Sequence, residues 1–353
     1  MDYKQYIEEL AGTTLKEDGS DLHLVAGYHP TIRVSGLLVP LVKYEKLTAE
    51  ACAGLIDAML RPEAKERFEK NRELDFSWQL GDQARFRGNA YFSLSAPTAA
   101  LRLIPNKIRG LEELNLPTSL RTFAELNQGF FLVVGPVGHG KSTTLASMIE
   151  IINQERSEHI VTIEDPIEYL YEPKKSIIDQ REVRADTKDF HTALKYVFRQ
   201  DVDVILIGEM RSLETISTAV TAAETGHLVF STLHTNNAAQ TIDRIIDSFP
   251  GHQQDQIRVQ LAGSLAGIFS QRLVPRVSGG LIPAYELLIN NNAVSNLIRE
   301  RRTHEINTVI ETGLESGMVD MNRSLATLVR AGEVTVEDAR RHSLNPKVLE
   351  KML

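Results

Sequence analysis

The sequence predicts an α/β protein in two parts: a small N-terminal α/β domain, then a larger domain with a parallel sheet wrapped by helices. Three observations carry this. The chain has 353 residues, more than one ordinary hydrophobic core organises. Segments that alternate polar with apolar residues recur through the first part, the period of half-buried antiparallel strands. From Leu120 onward, continuous apolar runs alternate with helical stripes, the order that builds parallel strands joined by crossover helices.

Taken in order, Tyr3 to Leu15 fits a short helix, and Asp21–Leu24 and Thr31–Val34 read as strands. Thr48 to Asn71 reads as one helical stretch, with Ala49, Cys52, Leu55, Ile56, Met59 and Leu60 on a stripe. Leu74–Trp78, Ala84–Arg87 and Ala100–Leu103 follow as strands of an antiparallel sheet. The run Pro105-Asn106-Lys107-Ile108-Arg109-Gly110 breaks the pattern and Leu116-Pro117 follows, which sets a first domain over 1–107, a linker over 108–119 and a second domain over 120–353. After Pro275 the chain is expected to be mostly helical to its end. There Val294, Leu297 and Ile298 form an apolar stripe, with Arg299 and Glu300 beyond it.

Composition narrows the class. Apolar content of 42% and charged content of 24% are ordinary for a soluble globular protein. The 39 basic and 47 acidic residues give a net charge of −8, which argues against wholesale nucleic-acid binding. The single cysteine, Cys52, excludes intramolecular disulfides and multi-cysteine zinc sites and fits a reducing compartment. No apolar run approaches the ~20 residues a membrane span needs, and Met1-Asp2-Tyr3-Lys4-Gln5 has no signal-peptide character. A soluble, cytosolic protein is expected.

Chemistry concentrates after Val134. Gly135-Pro136-Val137-Gly138-His139-Gly140-Lys141-Ser142 has the phosphate-loop form G-x-x-x-x-G-K-[ST], with Thr143 next. It follows the apolar strand Phe130–Val134 and opens a helix whose Leu145, Met148, Ile149 and Ile152 share a face. That order lets backbone N–H groups and a helix N-terminus surround phosphate oxygens, while Lys141 supplies charge and Ser142 a magnesium ligand. ATP and Mg2+ are the expected cofactors. Three more strands end in polar residues: Ile160–Ile163 at Glu164, Val204–Ile207 at Gly208-Glu209, and Leu228–Leu233 at His234. Strand ends on one edge of a parallel sheet converge on one crevice. Glu209, one position beyond the usual metal-linked acid, suits orienting or deprotonating water, and Glu164 then serves the metal's water shell, or the two share these tasks. His234 senses the γ-phosphate or caps a loop; His227 serves function or the core. Arg85, Arg87 and Arg102 sit on alternating strands, either as solvated charges or as transition-state arginines.

These segments resemble the type II/type IV secretion ATPases. Gly135-Pro136 through Thr144 matches that family's Walker A, and Thr162 through Tyr169 its Asp box. Arg199-Gln200-Asp201 through Ile207-Gly208-Glu209-Met210-Arg211 matches its Walker B, and Ser231 through Asn236 its His box. Ser20-Asp21-Leu22-His23-Leu24 and Ala293 through Glu300 are similar to the branch that retracts type IV pili in twitching motility. The resemblance runs from about Ser20 to Arg330. It implies a PAS-like N-terminal domain and a RecA-like P-loop ATPase domain with a helical C-terminal extension, assembled as a homo-hexamer. It implies Lys141 and Ser142 on phosphate and magnesium, Glu164 in the Asp box, Glu209 as catalytic carboxylate and His234 in the His box. It raises Arg87 and Arg102, and less firmly Arg85, to nucleotide-facing arginines across a domain or subunit boundary. The implied work is pilin extraction through an inner-membrane platform protein, with the ring peripheral to that membrane, a paralogous motor as a further partner, and no stable nucleic-acid contact.

Three other readings remain at this level: an assembly ATPase of a pilus or secretion system, a non-hydrolysing paralogue that docks on the main motor, and a nucleic-acid motor. Assembly ATPases usually carry a further N-terminal domain and a four-cysteine zinc motif, which one cysteine and a short lead-in argue against. The chain departs from the family pattern at His139 for Ser, Val202 for Pro and Ser212 for Asp, and the loop near Ser95 lacks a common basic residue. None of these removes a catalytic group.

Overall fold

Asp2 opens the first helix, α1 (Tyr3–Lys16), by accepting the amide protons of Lys4 and Gln5 on its carboxylate. The computed structural model describes residues 2–34, 36–104 and 108–353, so Pro105, Asn106 and Lys107 of the expected break lie outside the described residues. The chain divides into two units: Met1–Lys107 with Pro166–Leu170, and Ile108–Asp165 with Tyr171–Leu353.

After α1 the first unit runs β1 (Gly19–Leu24), β2 (Thr31–Val34), β3 (Leu37–Pro40), α2 (Ala49–Met59), α3 (Pro62–Asn71), β4 (Glu73–Leu80), β5 (Ala84–Ser93) and β6 (Ala96–Ile104). Its strands form one antiparallel sheet in the order β3-β2-β1-β6-β5-β4. Ile7, Leu10, Cys52, Leu55 and Ile56 from the helices bury against Leu22, Leu24, Phe86 and Leu101 from the strands. Burial pushes the Cys52 thiol up to about 11. The side chains between those strand residues occupy the opposite face. There the register sets Arg33 opposite Asp21, Asp21 opposite Arg102, and Arg102 opposite Arg87, one charged row across four strands.

The Thr48–Asn71 stretch expected as one helix is two. Arg61 is extended (φ −71°, ψ 158°) and Pro62 opens α3, because the residue before proline avoids the helical region while proline suits a helix's first turn. β3 escaped the sequence reading: its four residues are all exposed at the sheet edge, so no buried face imposed an alternating pattern.

The second unit begins with α4 (Leu120–Ala124), β7 (Gly129–Val134), α5 (Lys141–Glu155), β8 (His159–Glu164), β9 (Ile177–Glu182), α6 (Phe190–Val197) and β10 (Val204–Ile207). It continues with α7 (Leu213–Glu224), β11 (Leu228–Leu233), α8 (Ala238–Asp247), α9 (Gln254–Ser264), β12 (Leu265–Pro275) and β13 (Leu281–Ile289). It ends in α10 (Asn292–Arg299), α11 (Ile306–Thr312), α12 (Met321–Arg330), α13 (Val336–His342) and α14 (Pro346–Met352). The sheet order is β13-β12-β7-β11-β10-β8-β9, parallel throughout except for the β12–β13 hairpin. Phe130, Leu132 and Val134 of β7 enter the core on one face, Phe131 and Val133 that on the other. Burial on both faces explains the unbroken apolar run. Within the stretch expected as a linker, Leu111 and Leu116 are buried in the same core as Leu120 and Phe123. The chain after Pro275 is not immediately helical: Gly279 and Gly280, both at positive φ, turn it back so that β13 pairs antiparallel with β12.

Glu286 of β13 is a buried carboxylate, accepting from the Ala238 N–H at the start of α8 (2.8 Å) and from the Ser270 hydroxyl (3.3 Å). Burial pushes its carboxyl from 4.5 up to about 7, against the pull of those hydrogen bonds. The folded chain therefore keeps a proton that the unfolded chain has released between those values, and stability falls as pH rises through that window. Glu286→Gln preserves an acceptor of the same shape and should remove the slope. Urea unfolding at pH 5 and pH 8 should show the wild type losing, relative to the variant, on the order of 1–3 kcal/mol between the two values, the histidines held below their usual range contributing equally to both proteins.

Candidate functional site

Between β7 and α5 the backbone makes a turn that only glycine completes. Gly135 has φ +144°, and a Cβ there would lie 2.3 Å from the Gln271 carbonyl oxygen. Gly140 has φ +79°, and a Cβ there would meet Gln271 Nε2 at 2.9 Å. The loop is thus pressed against β12, and Gln271 fastens it. Its Nε2 donates to the His139 carbonyl (2.9 Å), and its Oε1 accepts from the Thr144 hydroxyl (2.6 Å). The Leu273 amide donates to His139 Nδ1 at 2.9 Å, which places the imidazole proton on Nε2. Burial, with His342, Arg272 and Lys141 nearby, holds His139 below the usual histidine range. The His139 departure thus has a structural use: its ring adds a bond to β12 that a serine is too short to make.

Lys141 is buried, and its Nζ donates to the carbonyls of Gly135 (3.0 Å) and Pro136 (2.8 Å) while lying 3.3 Å from His234 Nδ1. α5 starts at Lys141 with no side-chain cap and no acidic residue in its first turn, so its amides and positive end suit an anion. At the end of β8, buried Glu164 accepts from the Thr162 hydroxyl at 2.7 Å. Next to it, Gly208 follows β10, and a Cβ there would sit in ordinary contact, 3.4 Å, with Glu164 Cα. Glu209 Oε1 pairs with Arg211 Nε at 2.8 Å, and Oε2 lies 3.9 Å from His234 Nε2. Burial and the Lys141 charge hold His234 below the usual range, with Glu209 opposing them. A neutral His234 accepting from Lys141 on Nδ1 carries its proton toward Glu209.

The structure therefore brings Lys141, His234 and Glu209 into one chain of contacts, with Glu164 on the adjoining strand end. His227 lies elsewhere: it precedes β11, and its Nδ1 lies 3.0 Å from the Ala222 carbonyl, an anchor for the end of α7. Arg85, Arg87 and Arg102 belong to the first unit. Arg85 donates to the Ser77 hydroxyl (2.9 Å), Arg87 lies 3.6 Å from Glu168, and Arg102 pairs with Asp21 at 2.9 Å. Ser212 keeps the task of an aspartate, accepting the Thr215 amide to cap α7. Sequence reasoning missed Gln271 and Arg211. No motif marks Gln271, and Arg211 was read only as part of a motif. It also missed a cavity of about 400 Å3 beside the loop, lined by Arg109, Glu113, Asn115, Thr143, Gln271 and Leu273 among others. Such a volume suits the nucleoside end of a nucleotide whose phosphates meet the loop.

Fold and site together define a protein of the ATPase class, with a glycine-built loop suited to an anion. The chain belongs to the type II/IV secretion system protein family, which it matches over residues 3–341. It is 46% identical over 317 residues to a twitching motility protein of Neisseria gonorrhoeae, covering 90% of this chain and 84% of that one. It is 42% identical over 345 residues to the type IV pilus retraction ATPase PilT of Pseudomonas aeruginosa, covering 97% and 99%. Its fold matches the crystal structure of the pilus retraction motor PilT with bound ADP at a TM-score of 0.91 and 44% identity, covering 98% of each chain.

Gly135→Ala should displace the loop from Gln271 and weaken nucleotide binding ~10-fold or more, since an L-residue is strained at this φ whatever the space. Titration with a fluorescent ATP analogue, beside an unchanged far-UV circular dichroism spectrum, checks this.

Proposed function

We propose that this chain is a magnesium-dependent ATPase that works as a ring of six and powers retraction of a type IV pilus. The observation that carries the chemistry is the chain of contacts Lys141–His234–Glu209 at the carboxyl edge of a parallel sheet, beside a glycine-built phosphate loop. The direction of work rests on the relatives, two of which are named for twitching motility and pilus retraction.

The donor set fits the cofactors. Lys141 and the first amides of α5 meet phosphate oxygens, and Ser142 with Glu164 provides oxygen ligands of the kind magnesium takes directly or through water. Bound there, the metal would neutralise charge on the transferred phosphoryl group. Glu209 orients water and takes its proton on Oε2, while Arg211 holds Oε1. His234 links the carboxylate to the lysine that touches phosphate, so the base is coupled to what the loop holds. Arg87 and Arg102 supply positive charge from the first unit, to a nucleotide held by another domain or subunit. Among the described residues no helix is long and apolar enough to cross a membrane, and attachment at the inner membrane is proposed to run through a platform protein.

Glu209→Gln should leave magnesium–ATP binding largely intact and lower turnover ~100-fold or more, the range a placed base contributes. Lys141→Ala should weaken binding itself. Near wild-type turnover in the first variant would transfer the base to Glu164. In cells, deletion should leave hyperpiliated, non-twitching bacteria; bald bacteria would instead mean assembly.

The late helix offers a separate check. Val294, Leu297 and Ile298 of α10 are buried, whereas Arg299 and Glu300 are exposed and, among the described residues, their side chains bond nearby groups, Asn296 and Arg302. Arg299→Ala combined with Glu300→Ala should keep ATPase activity within about threefold of wild type and abolish twitching, by losing the surface that passes movement to a partner. Unimpaired motility in the double variant would reduce α10 to a structural role.

A further inference from the structure

Asp21 stands alone among positive charges. In the cross-strand row of the first unit it is the single carboxylate beside Arg33, Arg102 and Arg87. Its side chain is only 11% exposed, whereas that of Arg102 is 73% exposed. Asp21 Oδ1 accepts from Arg102 Nε at 2.9 Å, Oδ2 accepts from the Ser20 hydroxyl at 2.7 Å, and Arg33 Nε lies 4.0 Å from Oδ2. The geometry is uneven in a useful way. The carboxylate grips the inner Nε of Arg102, so the two terminal amino groups remain for an anion at the exposed end. Without it, Arg33 and Arg102 would flank β1 with no carboxylate between them, Glu168 lying on Arg87, and the long Arg102 side chain would sample many rotamers.

We propose that Asp21 is a positioning residue that fixes Arg102 for its encounter with the nucleotide phosphates, with Ser20 fixing Asp21. The proposal rests on the reading of Arg102 as a nucleotide-facing arginine. Burial by itself would raise the Asp21 carboxyl, but the hydrogen bonds from Ser20 and Arg102 and the Arg102 charge outweigh it and hold it below the usual range. Those contacts therefore favour the carboxylate form. His23, on the same face, is held below the usual histidine range by burial and by Arg33 and Arg102, against the pull of Asp21.

The test is a double-mutant cycle on the full-length protein, with kcat and KM for ATP measured for Asp21→Asn, Arg102→Ala and the pair. Asp21→Asn should lower kcat ~10-fold with KM within about twofold, as a misplaced but intact charge does. Arg102→Ala should lower it further, and the pair should match Arg102→Ala alone, because Asp21 then has nothing to position. Wild-type kcat in Asp21→Asn beside an impaired Arg102→Ala would overturn the role of Asp21 and leave the arginine standing. Wild-type kcat in Arg102→Ala would overturn the arginine reading itself. Losses that multiply in the pair would make Asp21 a structural residue. Should Asp21→Asn fail to fold, Ser20→Ala takes its place. It frees Oδ2 without removing the charge, and its smaller kcat loss should likewise vanish in the Arg102→Ala background; a loss that persists there overturns the proposal.

Discussion

Gln271 holds the nucleotide loop to the sheet. One amide side chain on β12 donates to the His139 carbonyl and accepts from the Thr144 hydroxyl, so the end of the turn and the first turn of α5 are tied to one strand. The backbone of the same residue leaves no room for a side chain at Gly135. A loop rich in glycine pays heavily in conformational entropy when it orders. Here the ordering is done in advance by β12, which is itself paired to β7 on one side and β13 on the other. The hairpin that the sequence reading took for the beginning of a helical tail is therefore part of the site's foundation.

From that foundation the charges follow. A buried Lys141 is tolerable because two carbonyls and a histidine nitrogen solvate it. Holding His234 neutral keeps it an acceptor toward Lys141 and a donor toward Glu209, and a protonated ring would repel the lysine. Glu209 in turn has each oxygen facing a different neighbour, Arg211 and His234. The pieces lie on four different strand ends, and parallel pairing alone brings them together.

Much of this was legible before any coordinates. The parallel strands announced themselves because burial on both faces demands apolar residues at every position, as in Phe130–Val134. Glu164 and His234 stand out in the sequence because each follows such a run directly, and Glu209 because it comes one residue after another. What escaped reading lacked a local signature. β3 is exposed on every residue, and Gln271 sits within a strand as an ordinary polar residue whose partners lie more than a hundred positions away. Arg61 and Pro62 divide a stretch whose apolar stripe continues across the break, so periodicity outweighed the proline in the reading. His139 looked like a blemish in a glycine loop until its Nδ1 was found accepting from Leu273.

Cys52 has a practical consequence. The chain's single thiol is wholly enclosed in the first unit's core, and burial holds it some way from the thiolate form that reacts with maleimides and disulfides. Native protein should therefore be nearly silent to thiol chemistry without any residue being removed. A cysteine introduced at a chosen surface point becomes the one address for a fluorophore or spin label, and pairs of such labels turn the protein into a ruler for its own movements.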